Sequence, residues 1–206
     1  VRIDSVRFDA SGNATFVASG GISFFIPHAR IQEIPNKLPE AGDELDEEND
    51  TLLAITRIAG EEEALSKALS LCSRAEQSSQ GLRAKLANRK FSRSAVEYAI
   101  RELEYRGIVD DARYASIWAR IRAEHRLEGP LAIGSELRAR GFGERTVKSA
   151  LDLIDFDSIL EKAFEKELRG EIASTLSREE LNLIAKSLKL RGFRSESIGL
   201  LIEKST

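Results

Sequence analysis

Apolar positions return along this chain with a period of 51 residues. Leu82, Leu86, Arg89, Lys90, Phe91, Val96 and Ile100 are matched by Ile133, Leu137, Arg140, Gly141, Phe142, Val147 and Leu151. They are matched again by Ile184, Leu188, Arg191, Gly192, Phe193, Ile198 and Ile202. A fixed period of this length marks stacked helical units. Inside each unit the apolar spacing is helical and falls into three segments. The first unit carries Ala64, Leu65, Ala68, Leu69 and Cys72 on one helix and Leu82 and Leu86 on a second. Val96, Ala99, Ile100 and Leu103 lie on a third, with Ser92 as its cap and Gly107 as its stop. In the second unit, Asp110 or Asp111 caps a helix bearing Tyr114, Ala115, Trp118, Ala119 and Arg122. Gly129-Pro130 then opens the helix of Ile133 and Leu137, with proline where no amide hydrogen bond is needed. Val147, Ala150, Leu151 and Ile154 make the third helix. The last unit repeats the scheme with Leu160, Ala163, Phe164 and Leu168, then Leu181, Ile184 and Leu188, then Ile198, Leu201 and Ile202, after a longer first connection.

The repeated Arg–Gly–Phe corner has a conformational reason. Gly141 and Gly192 can enter the left-handed region that ends a helix, which turns Phe142 and Phe193 inward. Lys90 stands at the same place in the first unit, so that corner is expected to be strained or differently shaped.

Residues 1–58 read differently. Val1–Phe8, Ala14–Ala18 and Ile22–Ile26 are strand-like, separated by the turns Ala10–Asn13 and Ser19–Gly21 and closed by Pro27. Asp43–Glu48 looks like an acidic helix start, and Thr51–Thr56 reads as a last strand or as part of that helix. Such a small sheet is expected to pack on something else. The fold class is therefore mainly α: a tandem array of three three-helix repeats (61–108, 109–156 and 157–206) with a small β-rich N-terminal domain (1–58).

Composition adds a charge asymmetry. The net charge is −3, but residues 1–60 carry 5 basic and 10 acidic side chains, whereas residues 81–145 carry 14 basic and 9 acidic. A basic middle suggests an anionic partner, although arginine alternating with glutamate on helices is also how a solvated face reads. Cys72 is the only cysteine and sits in an apolar run, as a buried thiol would. No apolar run approaches a membrane span and the N-terminus lacks the shape of a secretory signal, so a cytoplasmic protein is expected.

Catalytic equipment is not recognisable in the sequence. His28 and His125 lie in different regions, no histidine–cysteine spacing fits a metal, and no phosphate-loop motif occurs. Asp110-Asp111 reads as a cap and a first-turn carboxylate. Tyr114 and Trp118 read as core, with a base-stacking platform as the alternative. Arg113, Arg120, Arg122 and Arg126 surround them, and with Arg138, Arg140 and Arg145 they form a candidate basic strip for phosphates or acidic side chains. The helix–corner–helix outline also resembles a helix-turn-helix, with Glu144–Lys148 as its reading end.

At Gly107–Ala115, with Trp118, Arg122, Gly129-Pro130, Glu136-Leu137 and Arg140-Gly141-Phe142, the sequence resembles the RecX family of RecA regulators. The resemblance covers residues 61–206 and is most specific from Gly107 to Leu151. It implies a non-enzymatic monomer, without cofactor or metal, acting in recombination, DNA repair and the SOS response. It implies binding in the groove of a RecA–DNA filament, with inhibition of RecA ATPase, filament extension and strand exchange and weak contact with single- or double-stranded DNA. The expected contacts are Arg113, Arg122, Arg126, Arg138, Arg140 and Arg145. Family members commonly carry basic residues after Gly-Pro, whereas Leu131 and Ala132 stand here, which shifts weight toward a protein-mediated contact. The competing readings are a stand-alone helical DNA-binding module and a protein scaffold without nucleic-acid contact.

Overall fold

The computed structural model describes residues 1–206, and the chain divides into two compact units, Val1–Val109 and Asp110–Thr206. In the first, β1 (Ile3–Phe8), β2 (Ala14–Ala18) and β3 (Ile22–Ile26) form an antiparallel meander in the order β1-β2-β3. The Asp9 carboxylate closes the first turn by accepting the N–H groups of Ser11 and Asn13. Along β2, Ala14, Phe16 and Ala18 are buried while Thr15 and Val17 are less so, the alternation of a sheet with one covered face. The cover is α1 (Asp50–Cys72), whose Ile55 and Ile58 join Phe16 and Ile26 in one core.

The acidic phrase does not start a helix. Main-chain bonds tie Ile3 N–H to Asp43, Gly42 N–H to Ile3 and Leu45 N–H to Val1, around an isolated bridge between Arg2 and Glu44 at the start of β1. α1 begins only at Asp50, where the Asn49 side chain accepts the N–H groups of Thr51 and Leu52, and Thr51–Thr56 belong to it. α1 then runs unbroken past residues 58–61. Its second half turns Ala64, Leu65 and Ala68 toward α3 (Arg93–Tyr105), and α2 (Ser79–Ala87) completes the cluster with Leu82 and Leu86.

A buried ion network binds the segment after the sheet to this first helical repeat. Arg30 lies in a short 3-10 turn, His28–Glu33, and is nearly buried. Its guanidinium donates to Glu33 at 2.7 and 2.9 Å, to Glu61 at 2.5 Å and to Glu62 at 3.0 Å. It also lies 4.4 Å from the ring centroid of Tyr98 on α3. Arg57 adds bonds to Glu61 and Glu33. Arg30, then Arg57, hold the Glu33 carboxyl below the usual carboxylate range, against the opposing effect of burial.

The second unit contains α4 (Asp111–Arg126), α5 (Pro130–Ala139), α6 (Glu144–Asp152), α7 (Phe156–Leu168), α8 (Arg178–Leu190) and α9 (Ser195–Ser205). Ala115, Ala119 and Ala123 form the fully buried stripe of α4. A capping box at Ser177 and Glu180 starts α8 after the longer connection.

All three repeats turn from second to third helix in one way. Lys90, Gly141 and Gly192 are left-handed and donate to the carbonyls of Ala87, Arg138 and Lys189. The following Phe91, Phe142 and Phe193 donate to Leu86, Leu137 and Leu188. This pair of bonds is the Schellman turn, completed by an apolar contact back onto the helix. Lys90 adopts φ 64 despite its side chain, so the first corner keeps the shape and carries the strain. The chain is thus a tandem array of three three-helix repeats with a small N-terminal sheet.

Candidate functional site

The sequence-derived arginines are spread over α4, α5 with its C-cap Arg140, and the start of α6. Asp110 caps α4 by accepting the Arg113 N–H, which sets Arg113 in the first turn. Arg126 occupies the last turn, where a cation suits the negative helix end. The two lie about 20 Å apart along the axis at ~1.5 Å per residue. They therefore mark the ends of a strip, not one focus. Arg113, Arg120, Arg126 and Arg145 are exposed.

Arg122 and Arg140 are brought together. Arg122 donates to Glu128 at 2.7 Å and to Glu136 at 2.9 Å, and Arg140 donates to the other oxygen of Glu136 at 3.0 Å. Their guanidinium carbons lie 5.2 and 4.7 Å from the Trp118 ring centroid. Such cation–π pairs are worth about 0.5–2 kcal/mol each, depending on desolvation. Trp118 is partly buried against the core, so its indole serves this cluster and is not an open stacking platform. Tyr114 is likewise occupied, stacked on Phe142 with ring centroids 5.8 Å apart. Arg122, with 20% of its side chain exposed, is a framework residue in the free protein. Arg140 is more exposed and faces outward from the same cluster.

Arg138 makes two bonds to Glu144, at 2.8 and 2.7 Å, across the α5–α6 corner. It holds that carboxyl below its ordinary range. This pair lines a groove of about 570 Å³ together with the basic Lys148 and Arg194 and the acidic Asp152 and Asp157. The balance of charge there fits a phosphate backbone poorly. Three contributors lie outside the arginine strip read from the sequence. Glu136 had a signal, its i,i+4 spacing to Arg140. Glu128 and Arg194 had none, because they arrive through a loop and from the third repeat. No group of three or more His, Cys, Asp or Glu side chains is placed to hold a metal ion.

The region that carries these side chains also carries the family signal. Residues 110–151 match the family model described as RecX, second three-helix domain. Regulatory protein RecX of Treponema pallidum is 33% identical over 121 residues, which span 56% of this chain and 74% of that protein. The chain belongs to the RecX family. Regulatory protein RecX of Halorhodospira halophila is 29% identical over 140 residues, covering 68% of this chain and 86% of that one. RecX of Thermus thermophilus is 42% identical over a shorter 89 residues. A crystal structure of regulatory protein RecX superposes with a TM-score of 0.75 over 98% of both chains at 22% identity. RecX from Lactobacillus salivarius gives 0.63 over 70% of this chain and 96% of that one. The RecX fold therefore extends over nearly the whole chain, the N-terminal sheet included. The RecX segment 110–151 contains Arg113, Arg122, Arg126, Arg138, Arg140 and Arg145 together with Trp118, Glu128 and Glu136.

Proposed function

We propose that this chain binds RecA–DNA filaments in their groove and inhibits RecA ATP hydrolysis, filament extension and strand exchange, without chemistry or cofactor of its own. The observation that carries the reading is the coincidence of the RecX-matching segment with the exposed arginines of α4–α6. Arg113, Arg126, Arg138, Arg140 and Arg145 are the outward contacts. Arg122 acts from behind, by fixing Trp118 and Glu136 and thereby the aim of Arg140. Each such contact at the rim of an interface is weak, and a repeating filament compensates by offering many equivalent sites. Arg138 and Arg140 already sit beside carboxylates, so they suit exchange onto acidic side chains of a protein better than onto a continuous phosphate track. A weak contact with DNA accompanies the protein contact.

The test is charge reversal at Arg113, Arg126 and Arg145 together. Three exposed contacts at about 0.5 kcal/mol each predict roughly tenfold weaker filament binding. The variant should remain folded. Undiminished inhibition of RecA by a folded triple variant would remove this assignment. Tight duplex binding without RecA, falling steeply with salt, would favour the DNA-binding module instead.

A further inference from the structure

The outer face of α4 carries apolar side chains that the fold leaves uncovered. Ile117 and Ile121, one turn apart, lie opposite the buried stripe of Ala115, Ala119 and Ala123 and are 46% and 50% exposed. The charged side chains beside them are Arg113, Arg120 and Glu124, all exposed. Isolated apolar residues are ordinary on a surface, but a contiguous pair framed by arginines is the pattern of a contact face. The same unit holds a groove of about 520 Å³ between α7, the connection that follows it, and α9. Phe164, Leu168, Ile172 and Leu201 give it apolar walls, and Ile172 is 67% exposed. Its charges are three carboxylates, Glu161, Glu165 and Glu171, and one ammonium, Lys204. Glu128, Glu136, Glu144 and Glu167 are each paired with an arginine, whereas these three carboxylates have no such partner.

We propose that α4 of one copy of this chain docks by its outer face into the α7–α9 groove of a second copy. The groove suits a helix that presents apolar side chains one turn apart with cations beside them, and α4 presents that pattern. Ile117 and Ile121 are about 6 Å apart along the helix axis, as are Phe164 and Leu168, so one pair can interleave with the other. Arg113 and Arg120 supply the charge that Glu161, Glu165 and Glu171 lack. The minority charges match as well, Glu124 on the face and Lys204 in the groove. Nucleic acid does not fit the groove, because its phosphates would oppose three carboxylates. The two surfaces differ, so the contact is head-to-tail and leaves one face and one groove open at the ends. This association departs from the monomer expected of the sequence and does not depend on the RecA reading. Where both hold, self-association and filament binding compete for Arg113.

Sedimentation velocity of the full chain, from low micromolar to several hundred micromolar, tests it. The wild-type sedimentation coefficient should rise with concentration. Arg120→Glu reverses a charge on the face and Glu165→Lys reverses one in the groove. Both side chains are exposed, so the fold should persist. Each variant alone should associate at least about tenfold more weakly, because like charges then face each other. An equimolar mixture of the two should recover association, since one variant keeps the native groove and the other the native face. A wild-type chain that stays monomeric throughout would overturn the proposal. So would either folded variant associating as strongly as wild type, or a mixture that associates no better than its components.

Discussion

Gly192→Ala tests the packing of the second repeat on the third. Gly192 is left-handed at φ 90, and the start of α5 lies against it. A Cβ added there would lie 2.4 Å from the Ala132 nitrogen and 2.5 Å from its Cβ. From the other side, a Cβ on Gly129 would lie 2.4 Å from the Gly192 carbonyl carbon. These neighbours include main-chain atoms held by two hydrogen bonds, Gly129 N–H to Arg191 at 2.8 Å and Leu131 N–H to Gly192 at 3.0 Å. They cannot swing aside as a flexible side chain would. Gly170 supplies the control: its φ is 93, but its added Cβ meets nothing within 4 Å. Left-handed strain alone costs an L-residue about 1–2 kcal/mol, the expected effect of Gly170→Ala. Forcing packed backbone apart adds about 1–3 kcal/mol, so Gly192→Ala should cost about 2–5 kcal/mol. Urea unfolding followed by fluorescence of Trp118, the only tryptophan and a resident of the second unit, reads the difference. Equal destabilisation of the two variants, within about 0.5 kcal/mol, would refute the close approach as a constraint.

Other consequences are as direct. Arg30→Ala should destabilise the first unit by about 3 kcal/mol, the low end for an unpaired buried charge, because Arg57 still bonds Glu61 and Glu33. The same network sets a pH dependence. The Glu33 carboxyl is held below its ordinary value of 4.5, so the unfolded chain binds its proton first. The stability it contributes is complete above that value and is lost as pH falls through the lowered one. Urea midpoints measured from neutral pH downward should therefore fall more steeply for wild type than for Arg30→Ala. Lys90→Gly should relieve the strained first corner and stabilise the chain by about 1 kcal/mol, and a lowered midpoint would mean that the Lys90 side chain has a role of its own.

What could be read from the sequence was local or periodic. The three corners, the caps Ser92 and Asp110 and the stops at Gly107, Gly141 and Gly192 depend on backbone conformations that particular residues favour. They recur at a spacing that no chance arrangement keeps. Leucine, isoleucine and alanine at helical spacing gave the buried faces. Pairings set by tertiary neighbours were silent. The phrase Asp43–Glu48 has the composition of a helix start, but residues 1–3 bond the main chain of Asp43 and Leu45 first. Arg30 gives no hint of burial in the sequence, because its three carboxylates come partly from a helix that begins 20 residues later. In the site, the arginine strip was visible as composition. Its division was not: Arg122 is folded back onto Trp118 and Glu128, whereas Arg126 and Arg145 face solvent. Charge patterns show which residues are candidates, and only neighbours decide which of them stay available.

Regulation of a RecA filament by this chain is tested by RecA ATP hydrolysis on single-stranded DNA. The chain is added at substoichiometric amounts after filaments have formed. Hydrolysis should fall progressively, because a few bound copies in the groove limit extension while protomers continue to leave. Hydrolysis that stays constant with a cognate recombinase, even at excess of this chain, would contradict it.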